Sequence, residues 1–198
     1  IQNNKLNVES KMSNSIFLDP TDDTQQTIYV QVKNTSTEDL TNLTTGIKQK
    51  LQSAGWTIVS NPKSAHDMVQ VNVLQFGAAK SPEDVEKATM NGFGSLVTGA
   101  LAGVAVGYFA GSTPWGVGVG LGVAAASWVA DEMVTNKTYS LITDVQVSVR
   151  NPDKSWKRYN TRVSSMANKV NLEFRDAKPV IVEQMSKEIA GIFVTQEQ

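Results

Sequence analysis

Hydrophobic and polar positions alternate with period two in "TIYVQVKNTS", where Ile28, Val30 and Val32 fall on one face and Tyr29 and Gln31 on the other. This is the pattern of a half-buried strand. The next stretch changes period. Leu40, Leu43, Ile47 and Leu51 share one helical face, Ser36 and Asp39 stand ahead of them at capping-box spacing, and Gly55 follows as a stop signal. "WTIVS" and "DMVQVNVLQF" return to strand character, the second alternating Val69, Val71 and Val73 against Gln70 and Asn72, with "NPKS" as the loop between them. "TYSLITDVQVSVR" and "KRYNTRVSS" predict a hairpin turning at Asn151-Pro152-Asp153. The C-terminal "DAKPVIVEQMSKEIAGIF" places Ile181, Met185, Ile189 and Ile192 on one stripe, and Pro179 fits a helix that begins near Asp176. The predicted host is an α+β domain of about five strands with helices packed on one face.

This pattern breaks in the middle. From Ala88 to Ala130 there is no charged residue, and ten of the fourteen glycines lie between Gly92 and Gly122. The domain organisation expected is therefore a discontinuous α/β domain, 1–87 and 131–198, interrupted by a glycine-rich apolar segment at 88–130. Gly99, Gly103, Gly107 and Gly111 recur every fourth position, and Gly118, Gly122, Ala126 and Ala130 repeat the spacing. Read as helices, two apolar segments joined at "STPW" form a hairpin, and about eighteen helical residues rise roughly 27 Å against a hydrocarbon core of about 30 Å. Glycine costs about 1 kcal/mol relative to alanine in a solvated helix, whereas small residues four apart let helices approach closely in a membrane. Phe93, Tyr108, Trp115 and Trp128 stand where interface anchors would, and Ser112, Thr113, Pro114 and Trp115 would form an exposed tip that carries specificity. Read instead as strands, "GVGVGLGV" alternates with period two, as in a barrel hairpin, but without a polar face. A buried core hairpin of a soluble protein is the third reading, and it leaves the uncharged run no solvent face. The expectation is a transmembrane helical hairpin.

Charge and composition narrow the function. A formal net charge of −1 offers no basic excess for nucleic acid. With no cysteine there is no disulfide, thiolate metal site or cysteine nucleophile. His66 is the only histidine and stands in a loop after Pro62, which fits a surface or capping role better than a metal site. The acidic pairs Asp22-Asp23, Glu83-Asp84 and Asp131-Glu132 fit solvated loops and helix ends, and Arg158 and Arg162 fit one face of a strand better than a phosphate clamp. No catalytic residue, metal ligand or cofactor site is expected, and the protein is not expected to be an enzyme. The sequence opens at Ile1, so a targeting segment is expected upstream.

The stretches "LNVESKMSNSIFLDP", "VQVKNTS", "VGVGLGVAAASWVADEMV", "LITDVQVSV" and "YNTRVSSMANKVNLEFRDAKPVI" resemble the TraT family of surface-exclusion lipoproteins of conjugative plasmids. The connection "NPDKSW" is shorter than the Ser/Thr-rich stretch associated with plasmid members at that place. The resemblance implies an outer-membrane lipoprotein of a Gram-negative bacterium, lipidated at a cysteine upstream of Ile1 and assembled as a homo-oligomeric ring. It implies a periplasmic α/β domain, a hairpin tip at the cell surface, and contact with outer-membrane lipid and a donor-cell conjugation component. The activity implied is a block on mating-pair formation with plasmid-bearing cells, together with complement resistance. A ring-shaped outer-membrane channel and a purely structural glycine-zipper envelope protein are the alternative functions.

Overall fold

The computed structural model describes residues 5–97, 106–109, 118–121 and 136–194. Its strands are β1 (Asn7–Met12), β2 (Thr27–Asn34), β3 (Thr57–Ile58), β4 (Asp67–Ala79), β5 (Val106–Phe109), β6 (Gly118–Leu121), β7 (Asn136–Arg150) and β8 (Trp156–Val170). Its α-helices are α1 (Thr41–Ser53), α2 (Pro82–Met90) and α3 (Phe174–Gly191). Six strands form one sheet in the order β1-β8-β7-β4-β2-β3. β4 pairs in parallel with β2 and antiparallel with β7, and β7 pairs antiparallel with β8 along its whole length.

The alternation along β4 has a direct structural meaning. Val69, Val71 and Val73 join Leu43, Ile47 and Leu51 of α1 and Ile181, Met185 and Ile189 of α3 in one buried cluster. The two helices touch at Gly46, where an added Cβ would stand 2.6 Å from the Ser186 hydroxyl. α1 ends as its sequence predicts, with Ala54 as C-cap and Gly55 at φ 96°, a left-handed position that glycine adopts without strain. Its start differs from the capping box. The Asp39 carboxylate accepts from the Thr41 N–H at 2.9 Å, while Ser36 bonds to Asn34 in the preceding turn. α3 begins two residues before Asp176 and holds Pro179 inside it.

Three features of the expected fold are corrected. The sheet has six strands, because the short polar segment "NVESKM" adds β1 along the edge of β8. The helices are not confined to one face. α2, capped by Ser81 and opened by Pro82, packs Val85 and Ala88 against Leu74, Ile142 and Met166 in a second, smaller cluster. Lastly, the transmembrane helical hairpin is overturned. Beyond residue 97, the described parts of the uncharged segment, β5 and β6, are antiparallel strands, with Gly107 opposite Gly120 and Tyr108 opposite Val119. No helix among the described residues is long and apolar enough to cross a membrane. The physical reason lies in the residues themselves: glycine is the costliest non-proline residue in a helix, and the valines interleaved with it favour extended backbone.

Candidate functional site at the root of the uncharged segment

The chain enters its uncharged segment through α2 and the loop 91–97, and the sheet holds that loop with a buried ion pair. Arg162 on β8 and Asp144 on β7 are direct cross-strand neighbours on the face that α2 covers. Both are buried, at 0% and 2% side-chain exposure. Charges this deep require partners at every donor and acceptor. Arg162 Nε donates to Asp144 Oδ1 at 2.8 Å, and one terminal nitrogen reaches Asp144 Oδ2 at 3.3 Å. The same nitrogen donates to the Ser95 carbonyl at 2.6 Å; the other donates to the Ala88 carbonyl at 3.0 Å and to Ser95 Oγ at 2.7 Å. Asp144 Oδ2 also accepts the Gly94 N–H at 2.9 Å.

The loop is shaped for this grip. Gly92 and Gly94 adopt φ 87° and 82°, the left-handed region that a β-carbon disfavours. Two such residues turn the backbone so that Gly94 N–H and the Ser95 carbonyl both face the ion pair. Val97 then seals the site by joining the smaller apolar cluster. Phe93 is half-buried, while Met90 and Leu96 remain exposed at 55% and 56%, giving the root an apolar rim.

The same sheet face continues as a polar layer. Gln70 donates to Gln31 at 2.9 Å, Gln146 donates to Asn160 at 2.9 Å, and Arg158 donates to Gln146 at 2.9 Å. Gln70 Oε1, Asn72 Oδ1 and Ser148 Oγ are buried without a partner among the described residues. Gln70 and Asn72, the polar half of the alternation in β4, are thus buried too.

Of the residues singled out in the uncharged segment, Phe93 lies in the gripped loop, Gly107 and Tyr108 on β5, and Gly118 on β6. Gly99, Gly103, Gly111, Gly122, Ala126, Ser112, Thr113, Pro114, Trp115 and Trp128 lie outside the described residues. Arg162 occupies one face of a strand as expected, but the inward one. The residues that sequence reasoning missed are Asp144, Gly94 and Ser95. The available signal was a lone aspartate inside the apolar run "LITDVQV", since a charge at a strand's centre calls for a partner.

His66 has a partner as well. Its Nδ1 lies 2.5 Å from the carboxylate of Asp67, a residue 1% exposed. Burial raises the Asp67 pKa above 3.8, and the bond to His66 works against that rise. Among the described residues no group of three or more His, Cys, Asp or Glu could hold a metal ion.

Comparison with known proteins gives a match to the family described as Enterobacterial TraT complement resistance protein over residues 5–155 and 150–193. A TraT complement resistance protein of Escherichia coli is 34% identical over 225 residues, covering 97% of this chain and 88% of the relative. One from Wigglesworthia glossinidia brevipalpis is 28% identical over 222 residues, covering 98% and 87%. Among solved structures, a minor lipoprotein from Acinetobacter baumannii aligns with a TM-score of 0.41 at 8% identity, over 84% of this chain and 89% of that one.

Proposed function

We propose, from the premise that the chain belongs to the TraT family, that it is a homo-oligomeric outer-membrane lipoprotein that protects its cell from complement and excludes incoming conjugative partners. The work is done by surfaces and not by bond chemistry. The observation that carries this reading is the Arg162–Asp144 grip on the loop 91–97. A segment with no charge from Ala88 to Ala130 is poorly placed in water, and the grip fixes its root rigidly to a polar domain. That is the construction expected where one part of a chain meets lipid or neighbouring copies while the rest stays hydrated.

In this reading the uncharged segment faces the outer membrane and the sheet domain faces the periplasm. The small residues at Gly107, Gly118 and Gly120 allow backbones to come close, whether within one chain or between copies. Complement resistance and surface exclusion are then two consequences of one assembly at the cell surface.

The test is expression in a serum-sensitive, plasmid-free recipient. Serum survival and conjugation frequency are measured for the wild-type protein and for Arg162→Met, with surface amount matched by quantitative blotting. Wild type should raise survival and lower mating, and the variant should lose both. Wild-type protein that is present in the outer membrane yet changes neither quantity would overturn the reading. Native mass spectrometry in detergent tests the assembly: a strictly monomeric protein removes the oligomer from the account.

A further inference from the structure

At the end of the sheet where β7 turns into β8, the protein has an open cleft of about 910 Å³. The 3-10 turn Pro62–Ser64 and the segment around Asp19 form its other walls. Lys63, Arg150, Lys154 and Lys157 line it, against a single carboxylate, Asp19. This local excess of cations stands out in a chain whose formal net charge is −1.

The cations outnumber the carboxylates around them, with Asp19 acting on Lys157. Arg150 donates from Nε to the Ala65 carbonyl at 3.3 Å and from its terminal nitrogens to the carbonyls of Lys154 at 3.0 Å and Pro62 at 3.3 Å. Its guanidinium carbon lies 3.7 Å from the centre of the Trp156 ring. Arg150 therefore staples the turn to the opposite wall using only neutral acceptors, and its full charge remains available to the cleft. The ammonium groups of Lys63, Lys154 and Lys157 make no ion pair among the described residues. The carboxylate at the tip of the turn, Asp153, is tied to the N–H and hydroxyl of Ser155. Lys154 itself sits at φ 71°, a strained position for a side-chain-bearing residue, which fixes the turn's shape.

We propose that this cleft binds a phosphorylated sugar or polyol. Four cations facing one carboxylate across one opening favour a compact multivalent anion. The volume lies toward the upper end of ordinary ligand sites, which run from about 300 to 1,000 Å³. A bare phosphate fills only a small part of that space. Gln25 and Ser64, which line the same cleft and whose side chains bond to no other described residue, supply neutral hydrogen-bonding groups of the kind that hydroxyls need.

Calorimetric titration of the whole detergent-purified protein tests the proposal, with glucose 1-phosphate, glucose and inorganic phosphate as probes. A parallel flotation assay uses phosphatidylcholine vesicles with and without phosphatidylinositol 4-phosphate. Glucose 1-phosphate should bind more tightly than either control, and Lys63→Gln/Lys154→Gln should weaken it at least tenfold. Both lysines are exposed, so the fold is expected to survive, and Arg150 is left intact. Lys80→Gln/Lys187→Gln, a matched loss of charge elsewhere on the surface, should leave binding unchanged. Binding confined to the phosphorylated vesicles, lost in the same cleft variant, assigns the ligand to a lipid headgroup. Equal effects of the two double variants, or no phosphate-dependent binding in either assay, would overturn the site.

Discussion

Replacing Arg162 by methionine keeps most of the side-chain volume and removes the guanidinium. The Asp144 carboxylate would then retain only the Gly94 N–H, and the carbonyls of Ala88 and Ser95 would each lose a donor inside a site at 0–2% exposure. Breaking a buried ion pair on one side costs about 3–5 kcal/mol, because a desolvated charge is left without its partner. For a domain of this size each 1 kcal/mol moves the midpoint by about 2–4 °C, so the thermal transition should fall by roughly 6–20 °C. Removing both charges, as in Arg162→Met/Asp144→Leu, should be milder than the two single losses combined, with a coupling of about 0.5–3 kcal/mol. Circular dichroism melts of the four proteins supply the cycle. Hydrogen exchange at residues 91–97 supplies the local readout, since loss of the grip should speed exchange there before it does so in β4. A single-variant loss below about 1 kcal/mol, or strict additivity in the cycle, would refute the idea that this pair holds the root of the uncharged segment.

Other parts of the molecule give further expectations. Gly46→Ala improves intrinsic helix propensity by about 1 kcal/mol, yet its Cβ would meet Ser186 Oγ at 2.6 Å and Cβ at 3.2 Å. The net effect on urea midpoints should therefore be destabilising by about 1–3 kcal/mol, relieved when Ser186 is also changed to glycine; a stabilised single variant would show that α1 and α3 are not closely packed there. Asp67→Asn tests the buried dyad. Burial raises the folded pKa of Asp67, so its contribution to stability is fully present below about 3.8 and is lost as pH rises through the folded value. The variant should flatten the stability-against-pH curve above pH 4 without destabilising the protein at pH 7, and an unchanged curve would count against the assignment. Lys11 and Glu86 are 2.5 Å apart but 42% and 53% exposed, so Lys11→Met should shift stability by less than about 1 kcal/mol. A larger loss would mean that β1 depends on this pair.

Which elements were readable from sequence follows from where their information lies. Val69, Val71 and Val73 announce β4 because each meets the same apolar layer, and Asn151-Pro152-Asp153 announces the β7–β8 turn because all three residue types are favoured in turns. β1 was missed because an edge strand needs only Val8, Ser10 and Met12 facing inward, too few positions for a periodic signal. α2 carried a full start signal in Ser81, Pro82, Glu83 and Asp84, but its buried stripe is only Val85, Ala88 and Thr89, so the acidic pair stood out more than the helix. The uncharged segment misled for a different reason. Glycine at every fourth residue is compatible with a helical stripe and equally with one face of a strand, and short apolar runs cannot be separated by period alone. The Arg162 grip and the cleft were illegible because they join residues far apart in the chain. Asp144, Ser95 and Arg162 converge only after the sheet has formed, as do Asp19, Lys63 and Lys154.

The placement of those two sites along one strand bears on what reaches the cleft. β7 carries Asp144 of the grip at its centre and arrives at the cleft at Arg150. The six residues after Asp144, through Arg150, at about 3.3 Å each make roughly 20 Å of extended backbone. If the uncharged segment meets the outer membrane at its gripped root, the cleft opens roughly 20 Å from that contact along β7. Screening strengthens the point, since charges on a membrane surface are felt only over about 8–10 Å at physiological ionic strength. In that orientation the cations of the cleft lie beyond the screened field of the membrane, which favours a ligand that arrives from solution. The soluble arm of the binding experiment should accordingly give the signal: glucose 1-phosphate should bind and the phosphorylated vesicles should not. Vesicle binding through Lys63 and Lys154 would instead place the cleft against lipid and reverse the orientation of the domain.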